Sequence, residues 1–250
     1  MCSQVRYNFV VSSGRAALFA RNAVTSAGAQ LLAGIANLAL VPILVNRLGH
    51  ETFGLYVMLH AAANYLLVFS FGAGGATSKF VAEFDAEKNA NAMRDVLRLS
   101  LIFHVGGALL GAALLSALTS GFAELFGVPE RSIDVAVFVL RCAAASALFT
   151  ALTQCALSVL QGLQRFDWFN AIGLGQSLLF PLISVVLLHF GFGLREIAIW
   201  YLGFSICLCL VSWFAAGRLL RHTDYRRGDK LRWLRFLRYA FNMWAGSLSG

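Results

Sequence analysis

Six stretches of this chain contain no Asp, Glu, Lys or Arg: Asn22 to Asn46, Thr52 to Ser78, Leu99 to Ala123, Cys142 to Gln164, Trp168 to Leu194 and Ile197 to Gly217. Each is 21 to 27 residues long, and together they occupy 148 of the 250 positions. About 20 apolar residues in a helix cross the roughly 30 Å of bilayer hydrocarbon, so each stretch is long enough to span. A soluble domain of this size has no interior able to bury six such helices side by side. The composition agrees, at 59% hydrophobic and 13% charged with a mean hydropathy of +0.72, where soluble domains have about 45–50% apolar and ~25% charged residues. A disordered chain, a collagen-like repeat, a disulfide-stapled secreted module and an ordinary cytosolic enzyme are excluded. Continuous runs of Leu, Ala and Phe lack the period-two polarity of barrel strands, so helices satisfy the backbone in lipid. The expected fold class is all-α, a polytopic membrane protein with six transmembrane helices plus the start of a seventh.

Cations set the orientation, because Lys and Arg are retained on the cytoplasmic side. With the N-terminus inside, sixteen of the 20 Lys and Arg fall in inner segments, and only Arg47, Arg131, Arg141 and Arg195 fall outside. Topology thus explains the net charge of +8, and no nucleic-acid partner is needed. A cleavable signal peptide has an apolar core of about 7–15 residues; the first stretch has 25, so it stays as a span. Cys142, Cys155, Cys207 and Cys209 lie in spans and Cys2 is cytoplasmic, which leaves no disulfide framework and no CxxC metal pattern. No metal and no cofactor is expected.

The segment from Tyr239 to Gly250 opens like a seventh helix. Its dozen residues rise only ~18 Å, so it cannot cross and the chain looks truncated. The expected organisation is a six-helix bundle over 1–217, a basic cytoplasmic linker over 218–238 and the start of the seventh helix over 239–250. Arg47 to Glu51 and Arg195 to Glu196 are short outer turns, so the spans they join pack as antiparallel neighbours. Glu83 to Leu97 is mixed in charge and helix-prone, an extension of the second or third span. Between Arg218 and Arg238 and just beyond, Trp233, Phe236, Leu237 and Ala240 recur at helical spacing among arginines. An interfacial helix on anionic lipid gains ~1 kcal/mol per cation near the surface. Charge that only fixes topology, or a joint between two halves of a larger protein, fits the same residues.

Polar side chains inside the spans fall in stripes. Ser26, Gln30 and Asn37 share a face of the first span, and His60 and Asn64 are four apart in the second. The fourth carries Thr150, Gln154, Ser158, Gln161 and Arg165, and the fifth carries Asn170, Gly173, Ser177 and Ser184. Such stripes serve either as interhelical glue, at ~0.6 kcal/mol per bond, or as the lining of a water-accessible cavity whose amides and hydroxyls suit sugars. Gly107 and Gly111 form a GxxxG contact signal. Pro42 and Pro181 each remove a backbone hydrogen bond and are the candidate hinges. An ionised group deep in hydrocarbon costs at least ~2.5–3.5 kcal/mol; Arg141 is the nearest, as a cavity cation or as a snorkelling side chain. His60, His104 and His189 are candidates for proton coupling. No GxSxG, HExxH, Walker A or GxGxxG occurs and no acidic pair lies deep in a span, so catalysis has no evident seat and the chain reads as a non-enzyme.

Four segments resemble a known family. Pro42-x5-Leu48-Gly49-x3-Phe53-Gly54-x-Tyr56 resembles the first interhelical turn of the polysaccharide biosynthesis flippases, the Wzx-like O-antigen and capsule branch of the MOP superfamily. Gly72-x-Gly74 followed by Lys79-Phe80 looks like the end of that family's second helix. Leu160-Gln161-Gly162-Leu163-Gln164-Arg165-Phe166 with Asn170 is similar to its fourth-to-fifth connection. Arg238-Tyr239-Ala240-Phe241 resembles the start of its seventh helix, with Asn242 where a proline is common. The resemblance implies roughly twelve to fourteen helices in two bundles around a V-shaped cavity, this chain being the N-terminal bundle and lacking the C-terminal half. It implies movement of undecaprenyl-diphosphate-linked oligosaccharide across the bacterial cytoplasmic (inner) membrane. The partners it implies are that lipid-linked oligosaccharide, anionic membrane lipid, the missing half and glycan polymerase machinery. Arg21, Arg47 and Arg141 are then candidate phosphate or steering cations, and Gln30, Asn37, Asn64, Gln154 and Gln161 candidate sugar-facing groups. Three alternatives fit the residues less well. A cation-coupled exporter of the same superfamily wants an acidic residue in the membrane core, and none is found. A scaffold of a glycan assembly complex needs only glue. A membrane transferase would rest on His104 alone.

Overall fold

The computed structural model describes the backbone of residues 2–65, 72–125, 133–221, 231 and 233–248, and the side chains of 27, 28, 30–58, 60, 61, 72–117, 133–220, 231 and 233–246. The regular elements are helices: α1 (Cys2–Tyr65), α2 (Ala73–Ala86), α3 (Ala90–Leu125), α4 (Ile133–Gly162), α5 (Phe166–His189), α6 (Leu194–Arg221) and α7 (Trp233–Leu248). Among the described residues five stretches are long and apolar enough to cross a bilayer: Gln30–Met58, Ala90–Ala117, Ile133–Gly162, Phe166–His189 and Leu194–Leu220. The span expected at 52–78 is not among them. It is divided between the end of α1 and the start of α2, with 66–71 outside the described residues.

α1 is two helices joined at Gly49, whose φ of 75° and ψ of 162° interrupt the helical backbone. Glycine alone takes that conformation without steric cost. Asn37 donates to the Ser177 carbonyl at 3.2 Å, and the His60 ring lies 4.7 Å from that of Phe180. Ser177 and Phe180 are one turn apart on α5, whereas an unbroken helix would separate positions 37 and 60 by ~35 Å. The chain therefore doubles back at Gly49, within the short turn expected from Arg47 to Glu51. Pro42 lies inside a helical stretch seven residues before this break. α5 likewise runs through Pro181.

α4 is the axis of the bundle and packs against α1, α2, α3, α5 and α6. Its buried positions go all the way round and are mostly small, such as Ala136, Ala143, Ser146, Ala147 and Ala151. Small side chains let neighbouring backbones approach, which is how helices associate where lipid removes the hydrophobic incentive. Three of its hydroxyls are satisfied on the same helix: Ser146 donates to the Cys142 carbonyl at 2.8 Å, Thr153 to Phe149 at 2.9 Å and Ser158 to Gln154 at 2.8 Å. A Cβ added at Gly162 would lie 2.7 Å from the Ser78 carbonyl oxygen and from Val81 Cβ, and one at Gly74 would lie 3.1 Å from Ser158 Oγ. The α2–α4 crossing is thus built on Gly74, Ser158 and Gly162, and Ser158 acts as glue. On α3, Gly107 and Gly111 are both buried.

Two apolar clusters fill opposite ends of the bundle. One joins Leu44, Leu55 and Tyr56 of α1 to Val139, Phe180, Ile197, Tyr201 and Phe204. The other joins α2 and the start of α3 to the ends of α4 and α6 and to Phe236 and Ala240 of α7. Glu83 to Leu97 proves to be two helix ends meeting in a tight turn at 87–89, where Lys88 has a φ of 52°. α6 continues through Arg221 and α7 begins at Trp233, so both ends of the basic linker are helical. Of the four apolar positions that the interfacial reading would turn to lipid, Trp233 is exposed, whereas Phe236 and Ala240 are buried against α2 and α3. α7 crosses α2 at Gly72, where the φ is 72° and an added Cβ would run into the Ala240 carbonyl.

Candidate functional site

A cavity of about 450 Å³ lies between the arms of α1 and the middles of α4, α5 and α6. This volume is within the usual range for small-molecule sites. The sequence builds it from both sides of the Gly49 hairpin: Asn37 comes from the first arm and Tyr56 and His60 from the second. α4 contributes Thr150 and Thr153, α5 Gln176 and Ser177, and α6 Tyr201 and Ser205. Pro181 also lines it. The rings beside it form one cluster, with His60 at 5.0 Å from Tyr56, 4.7 Å from Phe180 and 5.1 Å from Tyr201. Among the described residues no Asp, Glu, Lys or Arg lines this space. The cavity therefore offers amides, hydroxyls and an imidazole but no fixed ion, a set suited to water and neutral hydroxyl-bearing groups.

A smaller recess of about 120 Å³ continues the polar lining between α1 and α5, with Gln30, Asn170 and Ser177 on its wall. Ser177 belongs to both spaces. Asn37 donates to its own helix at the Ala33 carbonyl, 2.8 Å away, as well as across to Ser177. Gln30 and Asn37, two turns apart, thus mark a polar seam that runs along α1 from the recess to the cavity.

The other sequence candidates are placed differently. Arg47 and Arg141 are exposed and lie outside the cavity lining. Gln154 and Gln161 are half-buried on α4 and outside the lining as well. The side chains of Arg21 and Asn64 fall outside the described residues. Arg165 is engaged with Asp167 by two hydrogen bonds of 3.1 and 2.9 Å. His104 is 2% exposed and its Nδ1 lies 2.8 Å from the Ser100 carbonyl oxygen. It belongs to a buried polar knot in which Thr77 Oγ1 is 2.7 Å from Ser100 Oγ, itself 3.1 Å from Cys155 Sγ. That knot ties α2, α3 and α4 together away from the cavity. His189 is exposed at the end of α5.

Tyr56, Gln176, Tyr201 and Ser205 were not signalled by any stripe. The two tyrosines read as apolar span residues, and Gln176 stands beside Ser177 rather than one turn from it. Among the described residues no cluster of three His, Cys, Asp or Glu is placed to hold a metal.

A family model described as polysaccharide biosynthesis protein matches residues 19–250. No curated protein and no solved structure matches the chain.

Proposed function

The chain belongs to the polysaccharide biosynthesis protein family, and on that premise we propose that it forms one wall of a flippase for undecaprenyl-diphosphate-linked oligosaccharide. The cargo would pass from the cytoplasmic to the periplasmic leaflet of the inner membrane by alternating access, with the N-terminus cytoplasmic. The observation that carries this is the uncharged polar cavity reached along the Gln30–Asn37 seam. Sugar hydroxyls cannot enter hydrocarbon without losing several hydrogen bonds to water, each costing kilocalories if unreplaced. Amides and hydroxyls at helix midpoints replace them, while the prenyl tail stays in lipid. Asn37 and Gln176 are the proposed sugar-gripping groups, with Gln30 along the approach, Gln154 and Gln161 as cargo contacts on α4 outside the cavity lining, and Asn64 as a further sugar-facing group. Among the described residues the cavity holds no counter-ion for the diphosphate; Arg47 and Arg141, outside the lining, and Arg21 are its proposed steering cations. Pro42 and Pro181 are the proposed hinges, and glycan polymerase machinery is the proposed partner that receives the product. Nothing in this cycle requires a covalent step, so the role is transport rather than catalysis.

The test follows the cargo. Deleting the gene in the producing strain is expected to leave lipid-linked oligosaccharide accumulating on the inner face. The wild-type gene should relieve that accumulation, and a variant with Asn37→Leu and Gln176→Leu should fail to. An unchanged inner-face pool in the deletion strain would refute transport and favour a scaffolding role.

A further inference from the structure

At the basic end of the molecule a groove of about 1090 Å³ runs between α2 and α7. Three cations line it. Lys79 Nζ is held 4.2 Å from the Phe80 ring centre and 4.6 Å from that of Tyr239. The Arg235 guanidinium sits 5.2 Å from the Phe80 ring and bonds Glu83 at 2.8 Å. Arg238 is exposed and, among the described residues, makes no ion pair. Glu83 also faces Lys79, at 3.6 Å, so one carboxylate stands against three positive groups and two charges remain in excess. Beside them Trp233 and Phe241 are each 59% exposed.

Fixed cations next to uncovered aromatic rings describe a ligand with an anionic head and apolar tails. Tryptophan is the side chain most at home at the headgroup level of a bilayer. Lysine pinned between two ring faces has already lost the rotamer freedom that binding an anion would otherwise cost. A zwitterionic head brings no net charge to answer the excess, whereas an anionic one does. We propose that this groove binds the headgroup phosphate of an anionic phospholipid in the leaflet that the basic end faces, with Lys79 and Arg238 as its principal contacts. The site does not depend on any transport activity.

Purified full-length protein, delipidated in detergent, would be titrated with phosphatidylglycerol or with phosphatidylcholine and the bound lipid counted by native mass spectrometry. Phosphatidylglycerol should be retained in preference, and less so as salt is raised. Arg238→Gln should weaken its binding about five-fold. Because Arg238 takes no part in the α2–α7 contacts made by Phe236 and Ala240, that variant should unfold at the wild-type temperature. Lys79→Gln should act in the same direction. Equal retention of the two lipids, or unchanged phosphatidylglycerol binding in both variants, would overturn the proposal. Displacement of phosphatidylglycerol by a short-chain prenyl diphosphate at lower concentration would also overturn it, by assigning the groove to the transported lipid.

Discussion

Replacing Asn37 by Leu separates a side chain that binds cargo from one that only holds helices together. In the structure Asn37 makes two hydrogen bonds, but the 2.8 Å bond to the Ala33 carbonyl stays within α1. Only the 3.2 Å bond to Ser177 crosses to another helix, and its length is at the upper edge of good geometry. A bond of that kind in a membrane protein is worth ~0.6 kcal/mol. Leucine loses that bond and puts an apolar side chain on the cavity wall, so the variant should lose about 1 kcal/mol of stability. A neutral hydrogen bond to a sugar hydroxyl contributes about 0.5–1.5 kcal/mol, which corresponds to a two- to twelve-fold fall in transport at limiting cargo. Stability would be read by denaturant titration in mixed micelles, and transport by the rate at which lipid-linked sugar becomes accessible to an external lectin in proteoliposomes. A stability loss above ~2 kcal/mol with transport per folded molecule unchanged would refute the cavity role and make Asn37 glue.

Two further expectations follow from packing and exposure. Gly162→Ala should destabilise by about 1–3 kcal/mol through overpacking against Ser78 and Val81, whereas Gly203→Ala, with nothing within 4 Å of the new methyl, should be neutral or slightly stabilising; equal midpoints in denaturant would contradict the α2–α4 crossing. Single cysteines at Ser177 and Gln176 should react with membrane-impermeant maleimide while one at Leu210, exposed on α6, should not, and uniform protection of all three would remove the aqueous cavity.

Five of the six expected spans recur as long apolar helices among the described residues, because charge is strongly excluded from hydrocarbon; the helix through Ala90–Ala117 nevertheless takes in Arg94, Asp95 and Arg98, so charge marks a span without fixing its end. The reversal at Gly49 was legible for a similar reason: two long apolar stretches leave a short polar turn no room to do anything but double back. The function of each polar stripe was not. Ser158 and Thr150 lie two turns apart on one face of α4, yet Ser158 packs against Gly74 and Thr150 faces the cavity. Which of them meets water depends on what α2 and α5 bring opposite, and spacing within one helix carries no record of that. The cavity role of Tyr56 and Tyr201 was hidden for the same reason, since an aromatic ring in an apolar stretch fits lipid, core and cavity wall equally well. The interfacial reading of 218–238 would turn Phe236 to lipid, but Phe80 and Phe103 cover it, and their positions are set by α2 and α3, far back along the chain.

The missing fixed charge in the chamber has an electrical consequence. Among the described residues the cavity wall carries no Asp, Glu, Lys or Arg, and if the bundle rocks these uncharged side chains move no gating charge, so the membrane voltage has no lever on them. The field does act on whatever net charge the cargo itself carries, at ~2.3 kcal/mol per elementary charge per 100 mV. With a doubly anionic diphosphate that is a large force, and its sign follows the direction in which the phosphates travel. A cell with its interior negative would therefore help to drive such a cargo outward, with no input from the saccharide or from the residues that hold it.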